Sequence, residues 1–149
     1  MKSLVVYYSR SNITKRLAED IAGKTGADIE EIVPKVNYQG KLGYARGVKH
    51  ALSEKIIDIE ETKFNPEEYD VVYIGAPVWA GKIANPTLTY IKRNEGKLNN
   101  VKFFMTAGSK DYEKGFRQLE KYSITPIKTF GLTTKQVKKG DYSLDSFLE

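Results

Sequence analysis

Hydroxyl and amide side chains are concentrated in one short stretch near the start of the chain, directly after an apolar run. The stretch consists of Ser9, Arg10, Ser11, Asn12, Ile13 and Thr14. Helical periodicity begins at Ile13, and the first amides of a helix have no partner within it and lie at its positive end. Such amides, joined by side-chain donors, are typical of a phosphate site. A helix cap accounts for Ser11 or Asn12 alone, but not for the whole stretch.

Two further segments follow apolar runs and offer groups suited to a flat ligand. They consist of Pro77, Val78, Trp79, Ala80, Gly81 and Lys82, and of Ala107, Gly108, Ser109, Asp111 and Tyr112. We expect Trp79, the only tryptophan, to be exposed and to stack on a planar group. Gly81 and Gly108 allow the backbone to approach a ligand closely. Asp111 is equally suited to capping the next helix, and Tyr112 to facing either a ligand or the core.

Apolar runs alternate with segments of helical periodicity along the whole chain. The runs predict five strands, at 4–8, 27–33, 70–77, 101–107 and 124–130. The periodic segments predict five helices, at about 13–24, 40–55, 85–94, 112–122 and 141–148. Strands joined by helical crossovers run parallel, so the predicted fold class is α/β, a doubly wound five-stranded parallel sheet in the order 2-1-3-4-5 with helices on both faces. Such sheets bind ligands beyond the carboxyl ends of the strands, which brings the three polar segments together around one site.

Composition narrows the chemistry that this site can perform. The chain of 149 residues fits a single domain spanning 1–149, with no cysteine and one histidine, His50. Disulfides, thiolate nucleophiles, iron–sulfur clusters and zinc–thiolate sites are therefore excluded. The complete Walker pattern is absent, which disfavours nucleoside triphosphates. We therefore expect the chemistry to come from a bound cofactor.

Three stretches of the chain resemble the flavodoxin family. They are YYSRSNITKRLAEDIA, VVYIGAPVWAGKIANPTLTYI and FFMTAGSKDYEKGF, and the alternation of strands and helices extends the resemblance over essentially the whole chain. A fourth stretch, NYQGKLGYARGVKHAL, is similar to a short-chain subgroup of flavodoxin-like proteins. The resemblance implies a flavodoxin-like fold, noncovalently bound FMN, and electron transfer as the activity.

The resemblance also implies a role for each polar segment. Ser9, Ser11 and Thr14 match the family's hydroxyls around the phosphate. Residues 77–81 match the loop whose aromatic side chain packs on the isoalloxazine ring, and residues 108–112 match the loop on the ring's other side. The pair Asn12-Ile13 stands where the family usually has Gly-Asn. Because asparagine tolerates positive φ better than most residues, we expect the turn to be kept.

Two other functions stay open, because a fold does not determine a function. One is an FMN-dependent NAD(P)H:quinone-type oxidoreductase, and the other is a binding or regulatory module without a cofactor.

The net charge of the chain predicts the kind of partner that it meets. The chain has 24 Lys and Arg against 19 Asp and Glu, a formal charge of +5, which predicts redox partner proteins with acidic surfaces. No nucleic-acid signature accompanies this charge, and no apolar run has the length of a membrane span. The apolar run at 4–8 is also too short for the core of a signal peptide, so we expect a cytoplasmic protein. We expect it to be either a monomer or a dimer.

Overall fold

Six strands form the sheet in the computed structural model, which describes all 149 residues. In chain order they are β1 (Ser3–Tyr7), β2 (Asp28–Glu31), β3 (Val71–Trp79), β4 (Lys82–Ile83), β5 (Val101–Ala107) and β6 (Lys128–Thr133). Five of them are parallel neighbours in the order β2–β1–β3–β5–β6, whereas the short β4 folds back antiparallel on the end of β3. The predicted order is confirmed for the five parallel strands, and β4 is an addition that the sequence pattern did not indicate.

Helices cover both faces of the sheet, as predicted. They are α1 (Ile13–Thr25), α2 (Gly40–Leu52), α3 (Asn85–Arg93), α4 (Tyr112–Gln118), α5 (Thr134–Lys139) and α6 (Asp145–Leu148), with 3-10 turns at Pro66–Glu68 and Leu119–Tyr122. Two hydrophobic clusters fill the two interfaces, one of 23 buried residues on the side of α2 and α3 and one of 11 on the side of α1, α5 and α6. None of the helices has the length and apolar character needed to cross a membrane.

The central strands read as continuous apolar runs because both of their faces are covered. All seven residues of β5 are buried. Since successive side chains of a strand point to opposite faces, Phe103 and Met105 join the larger cluster while Phe104 joins the smaller one. The carboxyl ends of β1, β3 and β5 lie side by side in this buried layer.

The last strand and the helix after it differ from the prediction. The strand, expected at 124–130, begins only at Lys128, because Pro126 has no amide hydrogen to donate to a neighbouring strand. The six-residue helix α5 was not predicted, since its only buried residue is Val137 and so it has no apolar periodicity. Its one local signal was the capping box between Thr133 and Gln136, in which each side chain accepts from the other residue's backbone amide.

Candidate functional site

A cleft of about 190 Å³ lies at the carboxyl ends of β1, β3 and β5, where the strand order reverses. It is lined by Arg10, Ser11, Ile13, Thr14, Tyr44, Pro77, Val78, Trp79, Thr106, Ala107, Gly108 and Thr134. Three of these, Tyr44, Thr106 and Thr134, are not among the residues expected from the sequence. The lining contains one charged residue, Arg10, and no carboxylate, so it suits an anion.

The first turn of α1 is open to a ligand at one end of the cleft. Asn12 precedes the helix with a φ of 67°, which confirms that asparagine keeps the turn in the left-handed conformation. No side chain caps the helix, and its first turn contains no acidic residue. The free amide hydrogens of this turn lie at the positive end of the helix dipole. They therefore point towards the cleft at the carboxyl ends of the strands.

Hydroxyl groups from two strand ends add to these amides. The Ser9 Oγ is buried and has no hydrogen-bond partner within the protein. The Oγ1 atoms of Thr14 and Thr106 are 2.8 Å apart and buried, so the end of β5 is joined to the start of α1. Thr134, which also lines the cleft, donates to the carbonyl of Ala107 over 3.3 Å. Ser9 and Asn12 do not themselves line the cleft, so as ligand contacts both stay a prediction. Because a buried hydroxyl without a partner is costly, the orphaned Ser9 Oγ, next to the lining residue Arg10, is suited to a hydrogen bond with a ligand.

Trp79 is not the exposed platform expected from the sequence. Strand β3 continues past Pro77 to include it, and its side chain is only 4% exposed. Its indole makes edge contacts with Tyr38 and Tyr8, with ring centroids 5.2 and 5.8 Å away. Gly47 of α2 lies against the same ring, since a Cβ on this glycine would come within 2.8 Å of the indole Cζ3. Trp79 is therefore part of the core and reaches the cleft only along its wall.

The residues after Trp79 form a tight hairpin turn and do not line the cleft. Ala80 and Gly81 have φ angles of 51° and 78°, the pattern of a two-residue turn between antiparallel strands. The Nζ of Lys82 lies 3.6 Å from a carboxylate oxygen of Glu54. Gly81 is thus explained by the turn between β3 and β4, and as ligand contacts these three residues stay a prediction.

Only the start of the third predicted segment reaches the cleft. Ala107 and Gly108 line it, whereas Ser109 is exposed beyond it. Asp111 does not cap α4, because its side chain makes no capping hydrogen bond and instead lies 3.6 Å from the Nζ of Lys114. Tyr112 packs against Gly131 of β6, where a Cβ would collide with its ring. Ser109, Asp111 and Tyr112 as ligand contacts likewise stay a prediction.

The side chains of Tyr8, Tyr38 and His50, which pack behind Trp79, are uncharged at neutral pH. Burial raises the pKa of Tyr38 to about 12 against a smaller opposite effect of Arg46, and burial also raises the pKa of Tyr8. Burial, together with Lys55 and Arg46, lowers the pKa of His50. The Tyr38 hydroxyl and the His50 Nδ1 are hydrogen-bonded to each other over 2.8 Å. The cleft combines an end whose donors suit an anion with the aromatic side chains of Tyr44 and Trp79, which suits a flat phosphorylated molecule.

A sequence model of the flavodoxin family matches residues 2–137 of the chain. No curated protein sequence matches the chain. Among solved structures, the flavoprotein of Lactobacillus acidophilus NCFM in complex with FMN has a TM-score of 0.76 at 22% identity, covering 93% of this chain and 97% of that one. A candidate flavoprotein of Bacteroides eggerthii DSM 20697 has a TM-score of 0.75 at 24% identity, covering 99% and 98%. An apo NADH:FMN oxidoreductase has a TM-score of 0.55 at 15% identity, covering 99% and 84%.

Proposed function

The chain belongs to the flavodoxin family, whose cofactor is FMN, and on that premise we propose that it binds FMN noncovalently in the cleft and carries electrons between redox partner proteins. The observation that carries the proposal is the uncapped first turn of α1 beside the orphaned Ser9 hydroxyl. Both offer donors to an anion at the reversal point of the sheet, where ligands of such folds bind.

The two ends of the cleft suit the two ends of FMN. We assign the phosphate to Ser9, Ser11 and the first amides of α1, because no carboxylate lines the cleft to repel a dianion. The volume of about 190 Å³ is below the ~300–1,000 Å³ of pockets that enclose a whole ligand. This size fits a phosphate held inside and a ring held at the rim. FMN, when bound, supplies the redox chemistry, and the chain orients it and shields it from water.

A comparison of FMN with riboflavin tests the proposal, because riboflavin has the ring without the phosphate. We expect FMN to bind the apoprotein more tightly than riboflavin and to raise its melting temperature. Ser9→Ala and Ser11→Ala should each weaken FMN binding by about 10- to 100-fold, the effect of a hydrogen bond to a charged group, and leave riboflavin unchanged. Ser146→Ala, at an exposed serine of α6 that does not line the cleft, is the control. Absence of FMN binding would favour the module without a cofactor.

The second candidate is an FMN-dependent NAD(P)H:quinone-type oxidoreductase. It is supported by the likeness in fold to an NADH:FMN oxidoreductase. The absence of a second dinucleotide motif favours the carrier, since hydride transfer needs a place for the nicotinamide donor. Consumption of NADH or NADPH by the FMN-loaded protein with a quinone acceptor would establish the enzyme. A reaction seen only with a separate reductase protein would support the carrier.

A further inference from the structure

We propose that Tyr44 of α2 is the side chain that stacks on the flat ring of the ligand, and that Arg10 holds Tyr44 in place. This inference rests on the proposed function, since it assigns the part of the cleft that the ring of FMN would occupy. It differs from the expectation drawn from the sequence, which gave that role to Trp79.

Trp79 is too firmly packed to serve as the platform. Its ring is held by edge contacts with Tyr8 and Tyr38 and by the close approach of Gly47. At 4% exposure it offers a ligand little area, and moving it would open a void in a core that is packed as densely as a crystal. The ring of a ligand needs an aromatic face that is both accessible and adjacent to the cleft.

Tyr44 meets both requirements. It lines the cleft and is 46% exposed, so its ring is accessible from the mouth. None of the ring–ring contacts in the structure includes it. An exposed aromatic ring without an aromatic partner, placed at the rim of a cleft, can stack on a planar ligand.

Arg10 joins Tyr44 to the phosphate end of the cleft. Its guanidinium carbon lies 5.0 Å from the centre of the Tyr44 ring, over one face of that ring. The same guanidinium donates to the carbonyl of Tyr38, just before α2, over 3.0 Å and to that of Gly40, the first residue of α2, over 3.3 Å. In return, the Gln39 Nε2 donates to the Arg10 carbonyl over 3.2 Å. Arg10 is thus tied to the chain around the start of α2 and covers one face of Tyr44. The other face has no aromatic or cationic contact, and it is the face that we assign to the ligand.

This arrangement makes Arg10 a positioning residue. Because its side chain is tied to two carbonyls, it limits the orientations that Tyr44 can adopt before a ligand arrives, and less entropy is lost on binding. Arg10 also follows Ser9 directly, so the phosphate end and the ring end of the cleft are parts of one connected structure.

Variants of Tyr44 separate stacking from phosphate binding. We expect Tyr44→Leu to weaken both FMN and riboflavin by roughly 5- to 100-fold, the effect of losing one stacked aromatic. Inhibition of FMN binding by inorganic phosphate should be unchanged, because the phosphate end is intact. Tyr44→Phe should restore both affinities to within about 2-fold, since the ring and not the hydroxyl stacks. Arg10→Lys, which loses the planar stacking group, should weaken riboflavin binding less than Tyr44→Leu does.

Leu42→Ala is the matched control, because Leu42 lies on the same helix, is 82% exposed and does not line the cleft. It should bind both flavins like the unchanged protein. Riboflavin and FMN binding to Tyr44→Leu at unchanged affinity, with a normal melting temperature, would overturn the role of Tyr44 while leaving FMN binding in place. Failure of the unchanged protein to bind FMN would instead overturn the proposed function, and the stacking role with it.

Discussion

The carboxylate of Glu54, two residues after the end of α2, interacts with four other side chains. Its carboxylate accepts hydrogen bonds from the hydroxyl of Tyr122 at 2.7 Å, Gln118 at 2.9 Å and Lys121 at 3.0 Å, and Lys82 lies 3.6 Å away. Through Lys82, these contacts position the β3–β4 hairpin at the edge of the cleft. Burial alone would raise the pKa of Glu54, but the hydrogen bonds outweigh it and lower the pKa to about 2.

Glu54→Gln should make this network measurable through its pH dependence. Because the pKa of Glu54 is lowered by folding from 4.5 to about 2, its contribution to stability is complete above pH 4.5 and is lost as the pH falls towards 2. We expect the variant to lose about 1–3 kcal/mol of unfolding free energy at neutral pH, and less near pH 3. Urea unfolding at both pH values measures this, with the exposed Glu120→Gln as control. An equal loss at both would contradict the assignment.

At the scale of elements, α2 is the helix that shapes the cleft. Two of its glycines, Gly43 and Gly47, are four residues apart and lie on one face of the helix. A Cβ on Gly43 would collide with the backbone of Tyr38, and one on Gly47 would press on the indole of Trp79. The glycines let α2 approach closely enough to bury Trp79 and to place Tyr44 at the mouth of the cleft.

Alanine at Gly47 should therefore lower stability although alanine favours helices. We expect Gly47→Ala to reduce the unfolding free energy by about 1 kcal/mol, because the crowding of Trp79 exceeds the gain in helix propensity. Gly23 of α1 provides the matched comparison, since a Cβ there would meet nothing within 4 Å. Gly23→Ala should stabilise by about 0.5–1 kcal/mol. Chemical denaturation compares the two, and equal stabilisation by both would refute close packing of α2.

At the scale of the whole molecule, the positive charge affects which partners approach. The chain carries a formal charge of +5, and the exposed Lys41 and Lys110 stand on the segments that flank the cleft. We propose that redox partners dock near the cleft with acidic surfaces, because opposite charges speed the encounter of two proteins.

Small redox reagents of opposite charge test this field without a known partner. We expect the FMN-loaded, photoreduced protein to be oxidised by hexacyanoferrate(III), an anion, at a rate that falls as salt rises. Its oxidation by hexaammineruthenium(III), a cation, should become faster instead. Stopped-flow measurements from about 0.01 M to about 1 M salt cover the range in which the Debye length shortens from ~30 Å to ~3 Å. Rates that do not depend on salt would contradict electrostatic steering.

Patterns of neighbouring residues in the sequence were enough to predict the architecture and most of the residues that line the cleft. The apolar runs and helical periods predict the strands and their parallel direction, and 2-1-3-4-5 is one of the common orders of such doubly wound sheets. Ser11, Thr14 and Gly108 could be placed at the cleft because each directly follows or lies near a strand end. The position of a loop relative to its own strand is a local property, so the sequence by itself determined it.

Only the tertiary structure decided which aromatic ring is accessible. Trp79 follows an apolar strand, and nothing near it in the chain indicates that Tyr8, Tyr38 and Gly47 enclose it. Tyr44 lies on a helix more than 30 residues away from Trp79 in the sequence, yet it shares the same cleft. Exposure depends on which distant segments pack together, and a pattern of neighbouring residues carries no information on that packing.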